Sequence, residues 1–215
     1  MENSLLIIVG VILLCGFYAY RRHKARIAFI TSYQFPEAVE KAIQTTYPHL
    51  DASQVEIVLD ALKSFFLISY KAKNRPVAMP SQVVDVAWHQ FILFTKNYQI
   101  FCRKGLGRFL HHTPTEAMKS RTTAQEGIKR AWRFACAREY INPKLPSRLP
   151  LLFAIDAALN IEDGFFYSLN CKDCKSPNYG NSYCASHIGC SSGCSGSSGD
   201  SSSGCGSSSG CGGGD

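Results

Sequence analysis

No stretch of this chain alternates apolar and polar residues with period two between turn signals, which argues against a sheet as its frame. No repeat of about 20 to 50 residues recurs, so solenoid and propeller architectures are excluded. Acidic residues are scarce at the start: Glu2 is the single charge before Arg21, and no cation precedes the first apolar run. A cleaved secretory leader needs positive charge before that run, so a permanent anchor is expected instead. Cysteine is scarce where a core would form, since seven of the ten lie from Cys171 onward. No Ser or Cys carries a recognisable nucleophile signature, and no second carboxylate stands near the best carboxylate–histidine pair.

What is present divides the chain into four parts. Leu5–Tyr20 reads LLIIVGVILLCGFYAY, uncharged and, with Asn3 and Ser4, just long enough to cross a bilayer. Tyr18 and Tyr20 fall where an interfacial aromatic belt would lie, directly before Arg21, Arg22, Lys24 and Arg26. Residues 1–26 are therefore expected to be a transmembrane anchor with a basic flank, meeting lipid through residues 4–20. The positive-inside rule places the N-terminus outside the cell membrane and all that follows in the cytoplasm. The four clustered cations also account for more than half of the +7 net charge, so no nucleic-acid partner is expected. The later cations Lys119, Arg121, Lys129, Arg130, Arg133 and Arg138 read as a solvated face.

Residues 27–166 are expected to form a compact all-α bundle of five or six short helices, with 46% hydrophobic content to supply its core. Pro36 suits a first helical position, and Ser53-x-x-Glu56 is a capping box for a helix reaching about Tyr70. Pro80–Ser81 opens a third helix predicted to run unbroken from Gln82 to Lys104 and to stop at Gly105-Leu-Gly107. Thr113–Pro114 is expected to start a short helix, Thr123-x-x-Glu126 to cap the next as far as Tyr140, and Leu149–Leu159 to form the last. Residues 167–190 are a Cys/His junction. Residues 191–215 hold only Ser, Gly, Cys and Asp, a low-complexity tail with nothing to bury.

Two groups of residues carry chemistry. Asp85 and His89 are four apart and share a helical face with Trp88. A carboxylate there can hold one imidazole nitrogen and leave the other for a metal or a proton. His111 and His112, beyond the glycine turn, are candidates to fold back and complete a cluster. The spacing is equally that of a structural pin, in which Asp85 and a buried His89 lock helices together. The second group is Cys171-x-x-Cys174 with Cys184, His187 and Cys190, a knuckle spacing that suits zinc. The bland alternative is a set of free thiols that merely begin the tail.

At Pro80, Asp85, Trp88, His89, Leu93, Tyr98, Cys102, Gly107 and His111 the chain resembles the glycine-rich domain-containing protein family of plants and fungi. Phe91 stands where that family often has a second histidine. The chain is also similar to bacterial single-pass membrane proteins with a Gly/Cys-rich end. The resemblance implies a helical domain with Gly-rich segments appended and no defined activity. The leading expectation is thus a membrane-anchored interaction or scaffold module with a protein partner. The alternatives are a metal-binding protein, using the junction residues or His89 and His111, and, less favoured, an enzyme centred on Asp85, His89 and His111.

Overall fold

The computed structural model describes residues 2–112, 121–169, 183–184 and 188. The fold is all-α, as expected. The long first helix α1 (Glu2–Thr31) is followed by α2 (Glu37–Thr46), α3 (Ala52–Ala72), α4 (Gln82–Leu93), α5 (Thr95–Phe101), a π-helical turn (Cys102–Leu106), α6 (Arg121–Arg138) and α7 (Leu151–Ala158). The expected Thr113–Pro114 helix, the tail and most of the junction lie outside the described residues.

The outer part of α1 buries nothing: Leu5, Leu6, Ile12 and Leu14 are each more than 60% exposed. Ser4–Thr31 is one helix long and apolar enough to cross a membrane. The helix does not stop at its basic cluster but runs on into the domain, where Ile30 is fully buried and Phe29 packs on Phe101. At the point of closest approach stands Gly105 of the π turn. A Cβ there would meet Ile30 Cγ1 at 2.9 Å, so only glycine lets the two backbones come this near.

α3 is the central element and touches α1, α2, α4, α6 and α7. Its cap differs from the expected one. Asp51 accepts the Gln54 N–H at 2.8 Å while Gln54 Oε1 accepts the Asp51 N–H at 3.0 Å. Ser53 donates its hydroxyl to Asp51 at 2.6 Å, so the box sits two residues earlier than Ser53/Glu56 suggested. Similarly, Thr123 lies inside α6 rather than before it.

The predicted helix 82–104 is broken at Phe94, whose ψ is 60°. No proline or glycine causes the break; aromatic packing does. In a straight helix Phe91 and Tyr98 would be separated by about 10 Å along the axis. The bend brings their ring centroids to 5.4 Å and those of Phe91 and Phe101 also to 5.4 Å. Phe66 of α3 joins this group, 4.7 Å from Phe101. Each such fully buried ring contributes on the order of 1.5–3 kcal/mol, enough to outweigh the hydrogen bonds forgone at one bend.

Residues 167–168 and 183–184 form a two-residue parallel pair, β1 (Tyr167–Ser168) and β2 (Tyr183–Cys184). The expectation of no sheet missed this pair because two residues of backbone pairing need no alternating pattern. The frame around it remains helical.

Candidate metal centre

The site is built from the N-terminus of α4. Ser81 Oγ accepts the Val84 N–H at 3.2 Å, capping the helix, and donates to Asp156 Oδ1 at 2.7 Å. Asp156, in α7, is a fully buried carboxylate that also accepts the N–H groups of Gln82 (2.7 Å), Val83 (3.3 Å) and Phe165 (2.9 Å). An anion at a helix N-terminus meets both the free N–H groups and the positive end of the dipole. The start of α4 is therefore held from two sides, which fixes Asp85 in its first turn.

Trp88 faces inward against Phe65, with ring centroids 5.0 Å apart, and its indole N–H donates to Tyr98 Oη at 3.1 Å. Tyr98 in turn donates to the Leu110 carbonyl at 2.5 Å. Burial pushes the Tyr98 hydroxyl well above its ordinary range, so it keeps its proton and remains a donor. The chain reaches Leu110 by way of the π turn and Gly107, whose φ of 75° reverses its direction. This clamp lays the segment after Gly107 back along α4.

His112 thereby comes to rest with its ring 4.5 Å from that of Trp88 and its Nε2 at 2.9 Å from Asp85 Oδ1. His89 Nδ1 lies 3.4 Å from Asp85 Oδ2, and the two imidazole centroids are 4.1 Å apart. One ligand atom from each of Asp85, His89 and His112 fits within a 4.8 Å group. Tetrahedral ligands at about 2.0–2.2 Å from zinc stand roughly 3.3–3.5 Å from one another, so small side-chain rotations close the group around an ion. The His112 side chain is 14% exposed and Asp85 21%, whereas His89 is 49% exposed. Two donors are thus fixed in the wall and the third stands at a mouth open to water. His89 is not the buried pin anticipated from its place beside Trp88.

His111 is exposed and packs its ring edge against Phe109, 4.8 Å away, so it does not join the cluster. The segment carrying it is not helical. His112 turns toward Asp85 of α4, while His111 packs on Phe109 instead. His23 and His49 are engaged elsewhere, with Tyr70 and the Leu159 carbonyl. Cys171, Cys174, His187 and Cys190 lie outside the described residues, and Cys184 is described only through its backbone in β2. Asp156 and the Tyr98–Leu110 clamp were missed by sequence reasoning. The one available signal was a lone carboxylate in the otherwise apolar Leu151–Leu159 run.

A family model described as UCP032817-like matches residues 25–188, about three-quarters of the chain, and the chain belongs to this uncharacterized family. The matched span begins within the basic flank of α1 and contains Asp85, His89 and His112. No curated protein and no solved structure matches the chain.

Proposed function

We propose that this chain is a membrane-anchored helical protein that binds a divalent transition metal, most simply zinc, through Asp85, His89 and His112. The observation that carries the reading is the convergence of one carboxylate and two imidazoles within 4.8 Å. Two imidazoles and one carboxylate form a borderline donor set that suits zinc, iron(II) or manganese(II) and disfavours calcium. Three protein ligands leave a coordination position for water, and the exposed side of His89 is where that water would enter. α1 would cross the cell membrane with its N-terminus outside. In support, Arg21, Arg22, Lys24 and Arg26 flank only its C-terminal side, which puts the domain in the cytoplasm.

The competing reading is an interaction or scaffold module in which the cluster is a metal-free pin. It is favoured by the direct 2.9 Å bond between His112 and Asp85. Cobalt(II) titration of the full chain in neutral detergent separates the two. The metal reading expects visible d–d bands from nitrogen and oxygen ligation, with no sulfur-to-metal charge transfer from this equivalent. Asp85→Ala, His89→Ala and His112→Ala should each weaken that equivalent by more than the roughly 100-fold that loss of an outer partner costs. His111→Ala should leave it intact. Binding unchanged in all of the first three variants would sink the proposal.

A further inference from the structure

Straddling the end of the apolar stretch of α1 lies an open cavity of about 420 Å³, lined by Tyr18, Arg22, His23 and Arg26 of α1, Tyr70 at the end of α3, and Gly107. Its charge is of one sign: two guanidinium groups and an imidazole line it, with no carboxylate. Arg26 is already oriented, because its Nη1 donates to the Leu106 carbonyl at 2.9 Å and its guanidinium lies over Gly107, where any side chain would collide with it. His23 is oriented as well, its Nδ1 paired with Tyr70 Oη at 2.9 Å and the two rings stacked at 5.5 Å. Arg22 stands one helical turn from Arg26 on the same face, and it forms no ion pair among the described residues. The neighbouring cations behave differently: Arg21 and Lys24 lie over Phe17 and Tyr20 of their own helix, at 5.8 and 5.9 Å from the ring centroids.

Orienting a helix in a membrane requires cations but no cavity. An Arg26 guanidinium held by the π turn, a His23 held by α3, and an Arg22 one turn from Arg26 with no ion pair among the described residues offer what a phosphate oxyanion needs, since an Arg fork matches two of its oxygens. The cavity also sits where headgroups would be, reaching from Tyr18 at the end of the apolar stretch to Arg26. We propose that it is a phosphate site, and that the phosphate is carried by an anionic lipid headgroup or, in its absence, by soluble phosphate. The lipid form rests on the reading of α1 as a membrane anchor.

The test uses the full chain. Flotation with pure phosphatidylcholine vesicles is read first, because failure to float refutes the anchor and not the phosphate site. Chain reconstituted in phosphatidylcholine with or without phosphatidylglycerol is then extracted into neutral detergent, and its retained lipid is counted by native mass spectrometry. Phosphatidylglycerol should be retained over phosphatidylcholine by about tenfold, because the choline cation of phosphatidylcholine neutralises the same phosphodiester and is repelled by Arg22 and Arg26. Arg22→Gln should abolish the preference and Arg21→Gln should preserve it. Equal loss in the two variants overturns the site in favour of diffuse surface attraction. In the second arm inorganic phosphate is added to delipidated chain. A rise in melting temperature that Arg22→Gln removes, without lipid enrichment, supports the site with soluble phosphate as its ligand. Absence of both the lipid enrichment and the phosphate effect overturns the proposal.

Discussion

Replacing Asp156 with alanine tests how the site is held. The substitution removes four accepted hydrogen bonds at once, from Ser81 Oγ and from the N–H groups of Gln82, Val83 and Phe165. A hydrogen bond to a charged acceptor is worth about 1.5–3 kcal/mol, so simple addition gives roughly 6–12 kcal/mol. That sum is too large, because the contributions share one acceptor and do not add. Gln82 and Phe165 also sit in part-buried bonds that water can replace, whereas the bonds from Ser81 and Val83 are buried. An expected loss of about 4–5 kcal/mol remains, exceptional for a single substitution. For a domain of this size it corresponds to a fall of roughly 10–20 °C in melting temperature. Asp156→Asn should cost about half as much: its amide can take the Oδ1 position, where Ser81 can turn to donate elsewhere and accept, leaving only the long Val83 contact unmet. Helical circular dichroism of the full chain in micelles, followed through thermal and urea melts, measures both variants. If Asp156→Ala melts within about 1 kcal/mol of the parent, the buried carboxylate does not hold α4, and the account of how Asp85 is positioned fails with it.

Gly105→Ala should destabilise by about 1–3 kcal/mol through collision with buried Ile30, and Ile30→Ala should cost less in that background than alone. An exposed helical glycine would instead gain stability on becoming alanine, so a stabilised Gly105→Ala would show that α1 is not seated on the π turn. The Cys136 thiol, fully buried in α6, is pushed by burial from 9.0 up to about 11. The folded chain then holds its proton where the unfolded chain releases it, so stability is full below pH 9 and declines as pH rises toward 11. Urea midpoints across that window should fall less steeply for Cys136→Ala than for the parent, and equal slopes would contradict the burial argument.

Features written in local chemistry could be read before any coordinates. Pro80–Ser81 opens α4, and Gly107 ends the π turn in the left-handed conformation that glycine favours. Asp85 and His89 share a face because they are four apart. Local reading placed the cap of α3 at Ser53-x-x-Glu56, but the box that forms joins Asp51 and Gln54, and the Ser53 hydroxyl turns back to Asp51. The break at Phe94 had no local mark at all, since its cause is the packing of Phe91, Tyr98 and Phe101 with Phe66 of another helix. The choice between His111 and His112 depends on how the returning segment is clamped at Leu110, a long-range contact that no local pattern marks. Asp156 acts on α4 from 74 residues away in sequence at Gln82, and no spacing rule reaches that far.

The break at Phe94 and the π turn that follows connect the site to the anchor. If α4 continued straight to Lys104, Tyr98 would not lie beneath Trp88, Leu110 would lose its clamp, and His112 would have no reason to return to Asp85. The same turn presents Gly105 to Ile30 and the Leu106 carbonyl to Arg26 on its other side. One short irregular segment therefore bears both the segment that returns to His112 and the end of α1. A side chain forced in at Gly105 displaces Ile30 directly, and any shift of the π turn passes through Gly107 to the segment that ends at His112. The packed path between α1 and His112 is short: Ile30, Gly105, Leu106, Gly107, then the chain itself to Leu110 and His112. The basic cavity is lined by Arg26 and Gly107, which belong to or contact the same segment that positions His112. The apolar helix α1 and the candidate metal centre are thus joined through a single turn.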